Sequence, residues 1–235
     1  MGMVGTAPST TTLTLSSGET IALADWVDDK LYGSGQFTNG SSAQVEIFSV
    51  GRSAQIPGGS RTQTRVDTNI PRSGDSGLPK DFEMLVYGYA IKVVRVERGL
   101  AATPNVPVFA DGGGALSDPC TLRTMFQLDR VLFFSFEFNG KIYTSGTMQH
   151  YPQGHGFTVV SNNPALELAQ NGVPSPRDRV ALVLPVHMRE NLGFRGIFQP
   201  EAAISVNQPA SDGGVTLSAA DIRLDLNGLI KRTVV

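Results

Sequence analysis

The stretch "VLFFSFEFNGKIYTSG", residues 131–146, decides the fold. Leu132, Phe134, Phe136 and Phe138 recur at every second position, the period of a strand that buries one face. Asn139 and Gly140 follow, a pair that accepts the positive φ values of a type I′ turn, whose twist suits an antiparallel hairpin. Two-residue closure predicts Phe138 opposite Lys141 and Phe136 opposite Tyr143. Four large side chains on one face then supply a major part of a core.

The same texture extends along the chain. Residues 82–97, "FEMLVYGYAIKVVRVE", are rich in Val, Ile, Tyr and Phe on both alternating faces. One straight strand of that length would span roughly 50 Å, so a bend or bulge near Gly88 is expected. Apolar residues on both faces imply that added elements or a neighbouring subunit cover the outside. "QVEIFSV" (44–50) alternates with Val45 and Ile47 on one face, before the polar loop "GRSAQIPGGSRTQT". Further strands are predicted at "RVALVLPVH" (179–187), "GFRGIF" (193–198), "AAISV" (202–206) and "DIRLDLNGLIKRTVV" (221–235). With 26 Gly and 14 Pro as punctuation, the strands must be short and joined by turns, about eight to ten in all.

Helices are few. In "TIALADWVDDKLYG" (20–33), Leu23, Trp26, Val27 and Leu31 share one face at helical spacing. "SDPCTLRTMFQLD" (117–129) offers Asp118 as cap, Pro119 at the first helical position, and Leu122, Met125 and Phe126 as a buried stripe. "NNPALELAQNG" (162–172) repeats the device with Asn163, Pro164 and Gly172. These read as short insertions in the loops of an all-β fold. The architecture expected is an antiparallel β-sandwich of jelly-roll type, a single enlarged roll being favoured and a compact double roll the alternative.

A chain of 235 residues can bury a large core as one unit. Residues 1–16, rich in Ser and Thr, read as a flexible arm, and 17–235 as one domain. "MGMVGT" fits a myristoylation pattern, but a pattern that short arises readily by chance. A basic segment followed by an apolar run is missing, which argues against a secretory signal. Nineteen Lys and Arg stand against 21 Asp and Glu, a balance that gives no sign of a nucleic-acid-binding face. Charged residues make up 17% of the chain, below the usual quarter, as expected if partners cover part of the surface. The lone cysteine, Cys120, excludes an intrachain disulfide.

Motifs for chemistry are weak. "GDSGLP" (74–79) approaches the segment around the nucleophile of chymotrypsin-like proteases, yet no histidine precedes His150. The order His, Asp, Ser cannot be assembled around Ser76, and a serine without a base is a poor nucleophile. The segment reads as a turn. His150, His155 and His187 are weak candidate metal ligands, because a Gly/Pro loop between the first two sets no geometry. "DGGGALSDP" (111–119) lacks the Gly-Lys-Ser/Thr ending of a phosphate-binding loop. Asp28 and Asp29, adjacent in sequence, do not converge for acid–base work. The reading is therefore of a protein that is not an enzyme, with no cofactor and no small-molecule substrate.

The run "DTNIPRSGDSGLPKDFEMLVYGYAIKV" (67–93), followed later by "ALVLPVHMRENLGFRGIFQPE" and "IRLDLNGLIKR", resembles the jelly-roll major capsid proteins of tailless, internal-membrane double-stranded DNA phages. The resemblance covers about half the chain and rests on pattern and order. It implies a self-assembling subunit of an icosahedral virion shell, made in the host cytoplasm. Its partners would be copies of itself, other virion proteins and an internal membrane, without direct contact to nucleic acid. A carbohydrate-binding or accessory spike module on a β-sandwich is the alternative; it would show exposed aromatics along a groove.

Overall fold

The computed structural model describes residues 12–14, 18–70, 82–98, 127–151, 158–161, 167–170, 180–189, 192–204 and 217–231. The expected hairpin is formed by Leu132–Phe138 (β6) and Lys141–Thr147 (β7). Asn139 and Gly140 take φ of 49° and 74°, and Phe138 pairs with Lys141 as the turn requires. Beyond that the register differs from expectation: Glu137 faces Ile142 and Phe136 faces Thr144, leaving Tyr143 as an extra residue. This bulge turns Tyr143 outward, whereas Leu132, Phe134, Phe136 and Phe138 remain buried.

In chain order the other strands are Thr12–Thr14 (β1), Thr20–Ala22 (β2), Trp26–Thr38 (β3), Val45–Ile47 (β4) and Glu83–Arg98 (β5). Beyond the hairpin come Thr158–Ser161 (β8), Glu167–Gln170 (β9), Val180–Arg189 (β10), Phe194–Pro200 (β11) and Leu217–Lys231 (β12). Two four-stranded antiparallel sheets form, with orders β10-β5-β12-β3 and β4-β11-β6-β7. The fold is an all-β antiparallel sandwich.

Aromatic rings cross the interior from one sheet to the other. Tyr89 of β5 meets Phe136 at 5.3 Å between centroids, and Phe37 of β3 meets Phe198 of β11 at 6.5 Å, edge to face. Phe134 touches both Phe198 and Tyr151. Offset and edge-to-face pairs add to the stabilisation from burial alone. Close approach of β4 to β3 depends on Gly35, where a Cβ would lie 2.5 Å from Val45 Cγ1.

The bend expected near Gly88 is present. Gly88 pairs with Asn227 and Val86 with Gly228, so Tyr87 is bulged. Met84, Val86, Tyr89, Ile91 and Val93 therefore all reach the main core despite the interruption. On the outside of the sheet, Leu85 and Ile21 form a second cluster with Leu13, Trp26 and Leu229. The β1–β2 hairpin thus supplies the covering that the two-sided pattern demanded, and Thr12–Thr14, read as arm, pair with β2.

Two expected helices are strands. Leu23–Asp25 form one 3-10 turn, and from Trp26 onward the chain pairs with β12 at thirteen successive positions. A long ladder outweighs a helical spacing that carries only weak intrinsic preference. Of the segment 162–172, Glu167–Gln170 pair with β8, and Asn163, Pro164 and Gly172 lie outside the described residues. Residues 127–131 are helical, while Asp118 to Phe126 lie outside the described residues. Glu201–Ile204 bend without forming a strand, although Ile204 exchanges backbone bonds with Gly40 and Ser41.

The polar loop at 51–70 closes over the outer edge of β3. Gln36 N donates to the Pro57 carbonyl at 2.8 Å, and Tyr32 N to Asn69 Oδ1 at 2.8 Å. A buried ion cluster fastens it: Arg61 donates to both oxygens of Asp67 at 2.7 and 2.6 Å and to Asp221 Oδ2 at 2.6 Å. Asp67 also accepts from Thr64 N and Oγ1, and Asp221 from Gln36 Nε2. Burial pushes the Asp67 carboxyl up, but Arg61 and the Thr64 N–H more than offset it and hold it below the usual carboxylate range.

Candidate functional site

The sandwich leaves one side open. Neither β7 nor β10 has a further strand on its outer flank among the described residues. Between these strands runs a groove of about 620 Å³ lined by Lys141, Ile142, Tyr143 and the segment Leu182–Val186.

Its shape follows from two irregularities in pairing. Along β10, Ala181 faces Gly88 and Val186 faces Val86, so residues 182–185 oppose the single residue Tyr87. The excess loops outward and leaves Val183 97% and Leu184 65% exposed. Across the groove, the β7 bulge leaves Ile142 61% exposed. Lys141 Nζ sits 5.1 Å above the Tyr143 ring. Pro185 has no N–H, and bulges spoil the even row of donors and acceptors that a foreign strand would need. A foreign strand would thus meet an irregular edge here, and adjacent exposed apolar residues of this kind are common at protein contact sites.

Charge sits at one end. Arg189 pairs with Glu19, and Glu83 is held between Lys231 Nζ at 2.7 Å and His187 Nε2 at 3.2 Å. Burial raises the Glu83 carboxyl, yet its bonds to Lys231 and His187 leave it below the ordinary value. The Trp26 ring meets the His187 ring at 6.2 Å in an edge-on contact.

Of the histidines considered as metal ligands, the two that are described have separate partners. His187 is committed to Glu83, whereas His150, exposed at the end of β7, has Nδ1 3.0 Å from Thr147 Oγ1. His155 lies outside the described residues, as do Ser76, Cys120 and the glycine-rich segment 111–119. Among the described residues no three His, Cys, Asp or Glu side chains gather where they could hold a metal ion, and no helix is long and apolar enough to cross a membrane. Asp28 accepts from the Tyr87 hydroxyl at 2.6 Å, and Asp29 from the Lys30 N–H; the two carboxylates have separate partners. Sequence reading missed the groove itself. Its signal was Pro185 within an unbroken apolar run, a combination that demotes a strand to an edge or a bulge.

No protein-family model, no curated protein and no solved structure matches the chain.

Proposed function

We propose that this chain is a self-assembling shell subunit built on a single jelly roll, the major coat component of a virion. The eight strands of the two sheets support the topology. They pair first with last and inward: β3 with β12, β4 with β11, β5 with β10, and β6 with β7. That is one long antiparallel ribbon wrapped on itself, with β8–β9 as an added hairpin.

Fold alone does not give function. The observation that carries the reading is the apolar flank formed by Ile142, Val183 and Leu184 beside the groove. A lone soluble molecule gains nothing by holding such residues in water, whereas a subunit that meets its copies buries them. Interfaces of ordinary size, about 1,600 Å², close into stable particles when the contacts are symmetric.

Sedimentation and negative-stain microscopy of the purified chain test this. Rings, capsomers or closed shells are expected. A monomer that persists at high concentration and across a range of salt would overturn the reading.

A further inference from the structure

We propose that the outer face of the first sheet carries a binding site for a phosphate group, formed by Lys92, Arg223 and Lys30. The site is independent of the apolar flank. Strand register sets Lys92 of β5 directly across from Arg223 of β12. Like charges so placed repel one another, and their common counter-charge is Asp225, itself only 3% exposed. Lys92 Nζ lies 2.7 Å and Lys30 Nζ 3.9 Å from Asp225 Oδ2, and Arg223 Nε 2.9 Å from Oδ1. Among the described residues, three cations thus share this one carboxylate. Of the other carboxylates on these strands, Asp221 is paired with Arg61, whereas Asp28 and Asp29 accept from the Tyr87 hydroxyl and the Lys30 N–H and keep their charge.

The arginine is prepared for a ligand and not exhausted by its neighbours. Its guanidinium stacks 4.9 Å above the Tyr32 ring, and among the described residues its one hydrogen bond is a 3.3 Å contact from Nη1 to the Val66 carbonyl. Nε and Asp225 Oδ1 are close but misaligned, and both buried atoms lack a hydrogen bond. A planar donor fork held flat in this way suits the oxygens of a tetrahedral oxyanion. Burial, then the charges of Arg223 and Lys30, pull the Lys92 ammonium below its ordinary pKa in spite of Asp225. A dianion between Lys92 and Arg223 would remove that tension. The Tyr32 ring is itself fixed by a 2.6 Å bond from its hydroxyl to the Arg65 carbonyl.

A phosphate monoester or inorganic phosphate suits three cations that have one carboxylate among them and an arginine fork with donors to spare. Calorimetric titration of the full-length protein with inorganic phosphate, and flotation with vesicles of phosphatidic acid against phosphatidylcholine, separate a small ion from a lipid headgroup. Saturable binding of either phosphate probe is expected, weakened about tenfold in Lys92→Met and in Arg223→Gln, the loss of one charge-assisted contact. Should Lys92→Met fold poorly, the half-exposed Lys30→Gln keeps the test, with a smaller but measurable loss. Binding of neither probe, or binding unchanged in every folded variant, overturns the proposal.

Discussion

Replacing Arg61 with Met removes the clasp between the 51–70 loop and the first sheet. Asp67 and Asp221 are 5% and 1% exposed, so the substitution leaves two buried carboxylates without their shared cation. Breaking a buried pair from one side costs roughly 3–5 kcal/mol. Asp67 keeps its two bonds from Thr64, and Asp221 its bond from Gln36, which favours the lower part, about 3–4 kcal/mol. That is a large share of a total stability of about 5–15 kcal/mol. In urea followed by circular dichroism, the midpoint should fall by about 1–2 M for an m-value near 2–3 kcal/mol/M. The pH dependence gives a second handle. The folded-state pKa of Asp67 is depressed, so its stabilisation is complete above the unfolded value of about 3.9 and is lost as pH falls through the folded value. The penalty of Arg61→Met is therefore largest at neutral pH and shrinks in acid. Adding Asp67→Asn and Asp221→Asn to Arg61→Met should restore most of the loss. A single variant within about 1 kcal/mol of the parent at pH 7 would refute the assignment of a buried, tightly held cluster.

Three further outcomes are expected. Val183→Asp with Leu184→Asp should dissolve higher assemblies in sedimentation while leaving the melting temperature nearly unchanged, since both side chains are in water in the single chain; retention of assembly would exclude this flank as a contact. Tyr89→Phe should raise stability by about 1 kcal/mol in denaturant titration, because its fully buried hydroxyl has no hydrogen-bond partner among the described residues; a loss of that size would reveal a bond. Gly35→Ala should cost about 1–3 kcal/mol in the same assay, as the new Cβ would sit 2.5 Å from Val45 Cγ1; a neutral result would mean that β4 is loosely packed.

Elements whose pattern repeats within a few residues were legible in the sequence. The β6 face, the Asn139–Gly140 turn and the Gly88 bulge all follow from local period and turn chemistry. What failed was decided by partners far along the chain. Residues 26–33 satisfy a helical spacing, yet β12, some 190 positions away, supplies a ladder that no window around Trp26 could reveal. The cations of the proposed phosphate site are similarly dispersed, at positions 30, 92 and 223, and a balanced total charge conceals them. The groove depends on two bulges, of which only Pro185 left a trace in the residues.

The position of β12 has a consequence for how the molecule comes into being. It lies between β3 and β5 and bonds to both, yet it is the last of the described strands to leave the ribosome. Until then two of the longest strands have no ladder joining them, and the inner face that carries Phe37 and Tyr89 cannot close. Non-local pairing of this kind is slow, and unpaired strand edges exposed in the meantime favour aggregation. Closure of the first sheet therefore waits until synthesis has passed residue 231.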